Sequence, residues 1–210
     1  MLFARLSGAS GWYKATAGAN DLADAVGGAG SAAKEAMKYL APFDELNRLP
    51  ADNKSGGGGG GGSTDGGGGG YEWVSNRESE PVALQFLARG YNVFVLKYSV
   101  AEMAKNLNPL REIEVSIKHI RDNAKPYNIR ADRVFVLGFS AGGHLALSSG
   151  TLLPKEARPD AMILCYPVVT ATCETHLGSL YNFCGTDTPT EEQRHLFSLD
   201  LHVDSDTPPA

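Results

Sequence analysis

The chain has 210 residues and a formal net charge of −5 at pH 7. This length suffices for one domain with a substantial hydrophobic core, and the negative charge argues against binding nucleic acid or an anionic membrane surface. No apolar stretch approaches the ~20 residues that would span a bilayer. Residues 1–20 also lack the continuous apolar region of a secretory signal, so we expect a cytoplasmic protein.

Residues 1–70 contain little that favours a strand, with one valine, no isoleucine and two phenylalanines. The alanine-rich stretch Asp21 to Leu40 is compatible with one helix, weakened by internal glycines. Residues 56–70 hold twelve glycines in fifteen positions, which predicts a flexible tract. We therefore predict three parts: an unassigned segment at 1–55, a glycine linker at 56–67, and a folded domain at 68–210.

The folded domain alternates helix-like and strand-like segments. In chain order we predict a helix over Pro81–Arg89, a strand over Val93–Leu96, an amphipathic helix with its apolar stripe at Leu110, Ile113, Ile117 and Ile120, a strand over Val134–Leu137, a helix over Ala141–Leu153 and a strand over Ala161–Cys165. Strands separated by helices are typical of the α/β class. We expect a mostly parallel sheet flanked by helices, with a ligand site at the carboxyl ends of the strands.

The segment Gly138–Gly142 has the pattern G-x-S-x-G between a predicted strand and a predicted helix. That context predicts a nucleophile elbow, a tight turn that lifts Ser140 clear of the sheet at a helix N-terminus. We expect both Gly138 and Gly142 to be required, because a Cβ at either position would meet the crossing strand and helix. The alternative is a glycine-rich turn in which the serine has no chemical role.

The last glycines of the glycine tract directly precede Tyr71. A glycine-rich loop at the edge of a hydrolase-like domain can turn backbone N–H groups toward an oxyanion. Alone, these glycines are equally compatible with the end of a linker.

From residue 68 onward the chain resembles an α/β-hydrolase of the bacterial carboxylesterase and acetyl-xylan-esterase-like branch. The similar segments are Gly68–Tyr71, Arg77–Glu78, Glu80–Ala83, Phe94–Val100, Asp132–Val134, Gly138–Ala146, Arg158–Ala161, Tyr166–Val168, Phe197–Leu199 and Asp206–Pro209. The resemblance implies a partial α/β-hydrolase fold over 68–210, preceded by an irregular or helical segment.

The resemblance also implies a function: hydrolysis of small carboxylic esters, including O-acetyl groups on carbohydrates, through an acyl-enzyme. Ser140 would be the nucleophile, and the N–H groups of Ala141, Gly69 and Gly70 would form the oxyanion hole. Each such donor contributes roughly 3–4 kcal/mol in the transition state. Tyr71 and His176 are candidates for the substrate pocket. No metal or organic cofactor is implied, and the oligomeric state is left open.

The chain departs from the family where the acid and the base are expected. In the family both follow the segment that here ends at Ala210. His144 follows Ser140 by one helical turn and should point into packing. His195 and His202 satisfy the chain order but lie in polar, surface-like stretches. We therefore expect this chain alone to be nearly inactive.

The strand that precedes the oxyanion glycines in the family is replaced by the glycine tract. Either that tract forms a strand without side chains to pack, or the remaining strands rearrange. Both arrangements expose strand edges, so we expect marginal stability.

Two further interpretations of the sequence stay open. The chain could be a non-catalytic hydrolase remnant or an engineered fusion, in which 1–55 is an interaction segment. It could also be a formamidase or a peptidase on the same fold, because fold alone does not fix the substrate.

Overall fold

The structure is a computed structural model that describes residues 2–6 and 69–210. The predicted helix within 21–40 and the predicted linker at 56–67 lie outside the described residues, and so do the proposed boundaries at 55 and 68. Among the described residues, no helix has the length and apolar character needed to cross a membrane.

The described residues form four strands and five α-helices. The strands are β1 (Leu2–Leu6), β2 (Tyr91–Phe94), β3 (Ile129–Phe139) and β4 (Ala161–Cys165). The helices are α1 (Glu80–Leu87), α2 (Asn108–Asp122), α3 (Ala141–Thr151), α4 (Leu177–Cys184) and α5 (Glu191–Phe197). Short 3₁₀ helices cover Asn76–Glu78, Ala101–Ala104, Lys155–Ala157 and Leu199–His202. Every element predicted between 81 and 165 is present, with shifted ends.

The sheet has the order β2-β1-β3-β4. Strands β3 and β4 are parallel, with Phe135 opposite Ala161 and Phe139 opposite Cys165. Strand β1 is antiparallel to both β2 and β3, so β2, β3 and β4 all run in the same direction. The expected mostly parallel sheet flanked by helices is therefore confirmed.

Strand β1 itself is a departure from the sequence analysis, which expects almost no strand-forming material before residue 70. Its segment Leu2–Leu6 fills the place between β2 and β3, with Leu2 opposite both Phe94 and Val136. Five residues without a β-branched side chain carry little local strand signal. The backbone hydrogen bonds that two neighbouring strands offer on either side outweigh that weak preference.

The core lies on both faces of the sheet. On one face α2 and α3 pack over Phe94, Val134 and Val136, and the predicted α2 stripe of one leucine and three isoleucines is buried there, as expected. On the other face α1 packs over Val93 and Leu137. Successive side chains of β2 and β3 point to opposite faces of the sheet, with the period of two that a strand imposes. Each fully buried leucine or isoleucine contributes roughly 1.5–3 kcal/mol.

A cavity lies at the end of the sheet where β1 begins. Past Leu2, a cavity of about 60 Å³ is lined by Val95 and Leu96, which continue from β2, and by Leu137 to Phe139 at the end of β3.

We predict that Ala4→Pro disrupts the fold. Ala4 pairs with Asn92 on one side and with Val134 on the other, so proline removes an N–H inside the sheet and destabilises by about 3 kcal/mol or more. Urea unfolding followed by circular dichroism measures the loss. Ala4→Ser, which keeps the N–H, is the control. An unchanged midpoint for Ala4→Pro would show that β1 is not part of the sheet.

Candidate active site

Ser140 occupies a strained turn between β3 and α3. Its φ of 50° and ψ of −117° lie in a region that residues with a Cβ rarely adopt. Such strain persists only where the surroundings impose it, and it is concentrated at functional sites. The side chain is half-buried at the N-terminus of α3, where the helix dipole favours developing negative charge.

The glycines of this turn differ in whether a Cβ would fit at their positions. A Cβ on Gly138 would lie 1.9 Å from the carbonyl oxygen of Gly142, so strand and helix cross in direct backbone contact. A Cβ on Gly143 would lie 2.9 Å from the side chain of Pro167. At Gly142 the nearest atom is the Tyr98 hydroxyl at 3.6 Å, an ordinary contact. The expectation that both motif glycines are sterically required is correct for Gly138 and wrong for Gly142.

The loop that follows β4 holds the backbone of Ser140 from both sides. The Ser140 N–H donates to the carbonyl of Cys165 (3.0 Å), and the Val168 N–H donates to the carbonyl of Ser140 (3.4 Å). Two hydrogen bonds to one residue fix the turn against relaxation. The loop 165–168 therefore lies directly beside the predicted nucleophile.

The predicted oxyanion glycines form a tight loop next to this turn. The carbonyl of Gly69 accepts the N–H groups of Glu72 and Trp73, and a Cβ on Gly69 would lie 2.0 Å from the carbonyl oxygen of Trp73. Gly70 has a φ of +55°. Among the described residues, the N–H groups of Gly69 and Gly70 have no hydrogen-bond acceptor. Within the described part of the chain, both N–H groups are therefore open to an incoming oxygen.

Three contacts hold the glycine loop in place. The Tyr71 hydroxyl hydrogen-bonds to Nδ1 of His144 (2.8 Å), and the Tyr71 carbonyl accepts the Ala101 N–H (2.6 Å). The side chain of Asn182 donates to the carbonyl of Gly70 (3.0 Å). Gly69 also borders the same cavity as Gly138. The structure thus brings Gly69 next to the crossing of β3 and α3, and Tyr71 next to His144 on α3.

His144 links this loop to the rest of the core. It is fully buried, its Nε2 bonds the Phe197 carbonyl (2.9 Å), and its ring stacks on Phe197 at 4.2 Å. A carbonyl only accepts, so Nε2 carries the proton and Nδ1 accepts the Tyr71 hydroxyl. The expectation that His144 points into packing is confirmed. Burial lowers the pKa of His144 to about 4, and the hydrogen bond to Phe197 opposes that shift.

His176 lies beside the glycine loop, as its assignment to the pocket requires. Its ring is 3.2 Å from the position of a Cβ on Gly70. It caps α4, where Nδ1 accepts the Ser179 N–H (3.1 Å) and contacts the Ser179 hydroxyl (2.9 Å). A neutral ring then carries its proton on Nε2, a donor that can face a substrate.

No histidine hydrogen-bonds to Ser140, although all five in the chain lie within the described part. His119 bonds the Tyr127 hydroxyl, and His202 bonds the carbonyl of His195. The described residues also offer no hydrogen-bond partner for the Ser140 hydroxyl. The glycine loop lies near the serine, but no histidine hydrogen-bonds to the serine hydroxyl to act as its base.

Glu78 and Tyr166, which belong to two of the family-like segments but were given no role from the sequence, meet at this site. The Tyr166 hydroxyl donates to Glu78 Oε1 (2.7 Å) across 88 positions of sequence. Tyr166 directly follows β4 at its carboxyl end, the position where ligand sites of parallel sheets occur. That placement is the one sequence signal that could have identified it.

The two motif glycines give a matched test of the turn. We predict that Gly138→Ala destabilises by about 3 kcal/mol or more, because its Cβ overlaps backbone atoms that cannot move independently. Gly142→Ala should stay within about 1 kcal/mol of wild type, since its helical position is open to a methyl group. Equal losses in the two variants, measured by urea unfolding, would contradict this geometry.

Because burial lowers the pKa of His144, we predict that the stability of the fold depends on pH. An unfolded histidine titrates near pH 6.5, so between about pH 6.5 and 4 the unfolded chain binds a proton that the folded chain does not. The free energy of unfolding contributed by neutral His144 is complete above pH 6.5 and falls by up to about 3 kcal/mol as the pH approaches 4. Urea unfolding at several pH values measures it.

In that experiment the stability difference between wild type and His144→Gln should shrink as the pH falls from 7 to 4. Val115→Ala, which changes an exposed side chain that carries no proton, supplies the control, and its difference from wild type should not change with pH. A pH-independent difference for His144→Gln would show that this imidazole does not titrate on unfolding.

The chain is similar to a known protein family and to solved structures. The BD-FAE family model matches residues 66–182. The crystal structure of an acetyl ester-xyloside bifunctional hydrolase from Caldicellulosiruptor lactoaceticus is similar with a TM-score of 0.62 and 35% identity. That match covers 68% of this chain and 56% of the other.

Two curated proteins are also similar. Endo-1,4-beta-xylanase B of Butyrivibrio fibrisolvens is 36% identical over 148 residues, which is 64% of this chain and 23% of that protein. Acetylxylan esterase of Xylanibacter ruminicola is 36% identical over 119 residues, which is 56% of this chain and 25% of that protein. The chain thus spans about a quarter of these curated relatives.

The resemblance inferred from the sequence is confirmed by the family match over more than half of the chain and by the shared fold. The chain belongs to the BD-FAE family, within the esterase-like branch of the α/β-hydrolases.

Proposed function

We propose that this chain carries the nucleophile and the oxyanion hole of a serine hydrolase that acts on small carboxylic esters, including O-acetyl groups on carbohydrates. The observation that carries the proposal is the strained conformation of Ser140, held by two backbone hydrogen bonds. The nearby glycine loop supports it, since the N–H groups of Gly69 and Gly70 have no acceptor among the described residues. The esterase relatives support the ester class, and the xylan-related names of two of them support a carbohydrate substrate.

The proposed chemistry proceeds through an acyl-enzyme. The Ser140 oxygen forms a bond to the ester carbonyl carbon, and the carbonyl oxygen becomes an oxyanion. The N–H groups of Ala141, Gly69 and Gly70 stabilise that charge, each contributing about 3 kcal/mol. The C–O bond to the alcohol then breaks, and the alcohol leaves with a proton. Water afterwards cleaves the acyl-enzyme to release the carboxylate.

The Ser140 proton must pass to a base as the serine attacks, and every histidine of this chain is positioned elsewhere. Loss of the histidine base lowers the rate of a serine hydrolase by a factor on the order of 10⁴ or more. We therefore propose that Ser140 in this chain is oriented for attack but weakly activated.

A fluorophosphonate probe tests the proposal directly. We expect slow labelling of Ser140, identified by peptide mass spectrometry and absent in Ser140→Ala. The exposed Ser205 gives the control: Ser205→Ala should label as wild type does. Absence of labelling at Ser140 would overturn the proposed function and favour a non-catalytic chain. Fast p-nitrophenyl acetate turnover that vanishes in Ser140→Ala would instead contradict the weak activation.

A further inference from the structure

Tyr166 is the most exposed large apolar side chain next to Ser140. Its exposed fraction is 63%, although it lies between Cys165 and Val168, the two residues that hold the Ser140 backbone. The backbone contacts of these two neighbours place Tyr166 beside the Ser140 turn. Exposed aromatic surface beside a reactive group is typical of a recognition surface.

The ring of Tyr166 is fixed rather than free to rotate. Its hydroxyl donates to Glu78 Oε1, and its ring packs against Phe139 with 5.8 Å between centroids. Its φ of +38° is in the left-handed region, which a bulky residue rarely adopts. A strained residue held by contacts on two sides presents one defined face, and such residues occur at ligand sites.

A second exposed aromatic side chain is close to the same groups. Trp73, with an exposed fraction of 44%, lies against Gly69, since its ring is 2.8 Å from the position of a Cβ there. Gly69, Glu78 and Phe139 all border one cavity. Phe139 directly precedes Ser140 and packs on Tyr166, which bonds Glu78, so aromatic rings and a carboxylate lie at the start of the Ser140 turn.

This combination matches a sugar ring better than an aromatic acyl group. A pyranose has a face of C–H bonds, which packs on the negative face of an aromatic ring, and an edge of hydroxyl groups. The Tyr166 hydroxyl, which donates to Glu78, keeps a lone pair that can accept from such a hydroxyl. A purely apolar occupant would remove water from these polar groups without replacing its hydrogen bonds.

We propose that the exposed ring of Tyr166, fixed beside Ser140 by Glu78, is the platform on which a sugar ring of an O-acetylated carbohydrate packs. The inference rests on the proposed function, because it assigns the alcohol part of the ester to a defined surface. Tyr166 then determines specificity for the carbohydrate, while the acetyl group faces Ser140.

Binding of acetylated xylotriose to the full chain, followed by saturation-transfer NMR and chemical-shift titration, tests the proposal. Saturation should reach the C–H protons of one sugar face. Tyr166→Ala should raise Kd about fivefold or more, because the stacking surface is lost. Tyr166→Phe keeps the ring but loses the hydroxyl that bonds Glu78, so its Kd should rise by about twofold, clearly less than that of Tyr166→Ala. Val115→Ala removes comparably exposed apolar surface on α2 and should not change Kd.

Thermal unfolding of each variant controls for misfolding, and Tyr166→Phe keeps the test valid if Tyr166→Ala does not fold. The proposal is overturned by an unchanged Kd in Tyr166→Ala, by equal losses in the alanine and phenylalanine variants, or by absence of binding to wild type. Tyr166-dependent binding of methyl 4-hydroxycinnamate without binding of acetylated xylotriose would also overturn it, by assigning the ring to an aromatic acyl group.

Fluorophosphonate labelling separates this inference from the proposed function. Sugar binding that depends on Tyr166 without labelling of Ser140 would support the platform and reject the hydrolase chemistry. Labelling of Ser140 without sugar binding would support the chemistry and reject the platform.

Discussion

The geometry of the site depends on the close crossing of β3 and α3 at Gly138. The missing side chain lets the helix backbone at Gly142 pass within contact distance of the strand. That approach forces the intervening Ser140 into its strained conformation and directs α3 back over the sheet. The position of His144, and through it that of the glycine loop, follows from the path of α3.

His144 joins three parts of the chain that are far apart in sequence. Its ring connects Tyr71, the first turns of α3 and the end of α5 at Phe197. Because the imidazole is buried and satisfied at both nitrogens, any movement of the glycine loop breaks a hydrogen bond in the core. The same histidine that is unavailable as a base thus serves to position the proposed oxyanion donors.

The sequence predicts those features that depend on local pattern. The stripe of α2, the strand β4 and the strand-turn-helix around Ser140 each carry a signal within a dozen residues. Strand β1 and the Tyr166–Glu78 contact were not predictable, because their partners lie about 90 or more positions away. The sequence also failed to predict that Gly142 has room for a Cβ. The motif places one glycine on each side of Ser140, but only a Cβ on Gly138 would meet the backbone of the other element.

The central place of β1 has a consequence for the order in which the chain is made. Leu2–Leu6 is translated before both of its neighbours in the sheet, Tyr91–Phe94 and Ile129–Val136. At about 5–20 residues per second, translation reaches β2 roughly 4–17 s later. Until then the strand has no native partner, and closing so long a loop is entropically costly. Assembly of the sheet around β1 therefore waits until β2 and β3 have also been made.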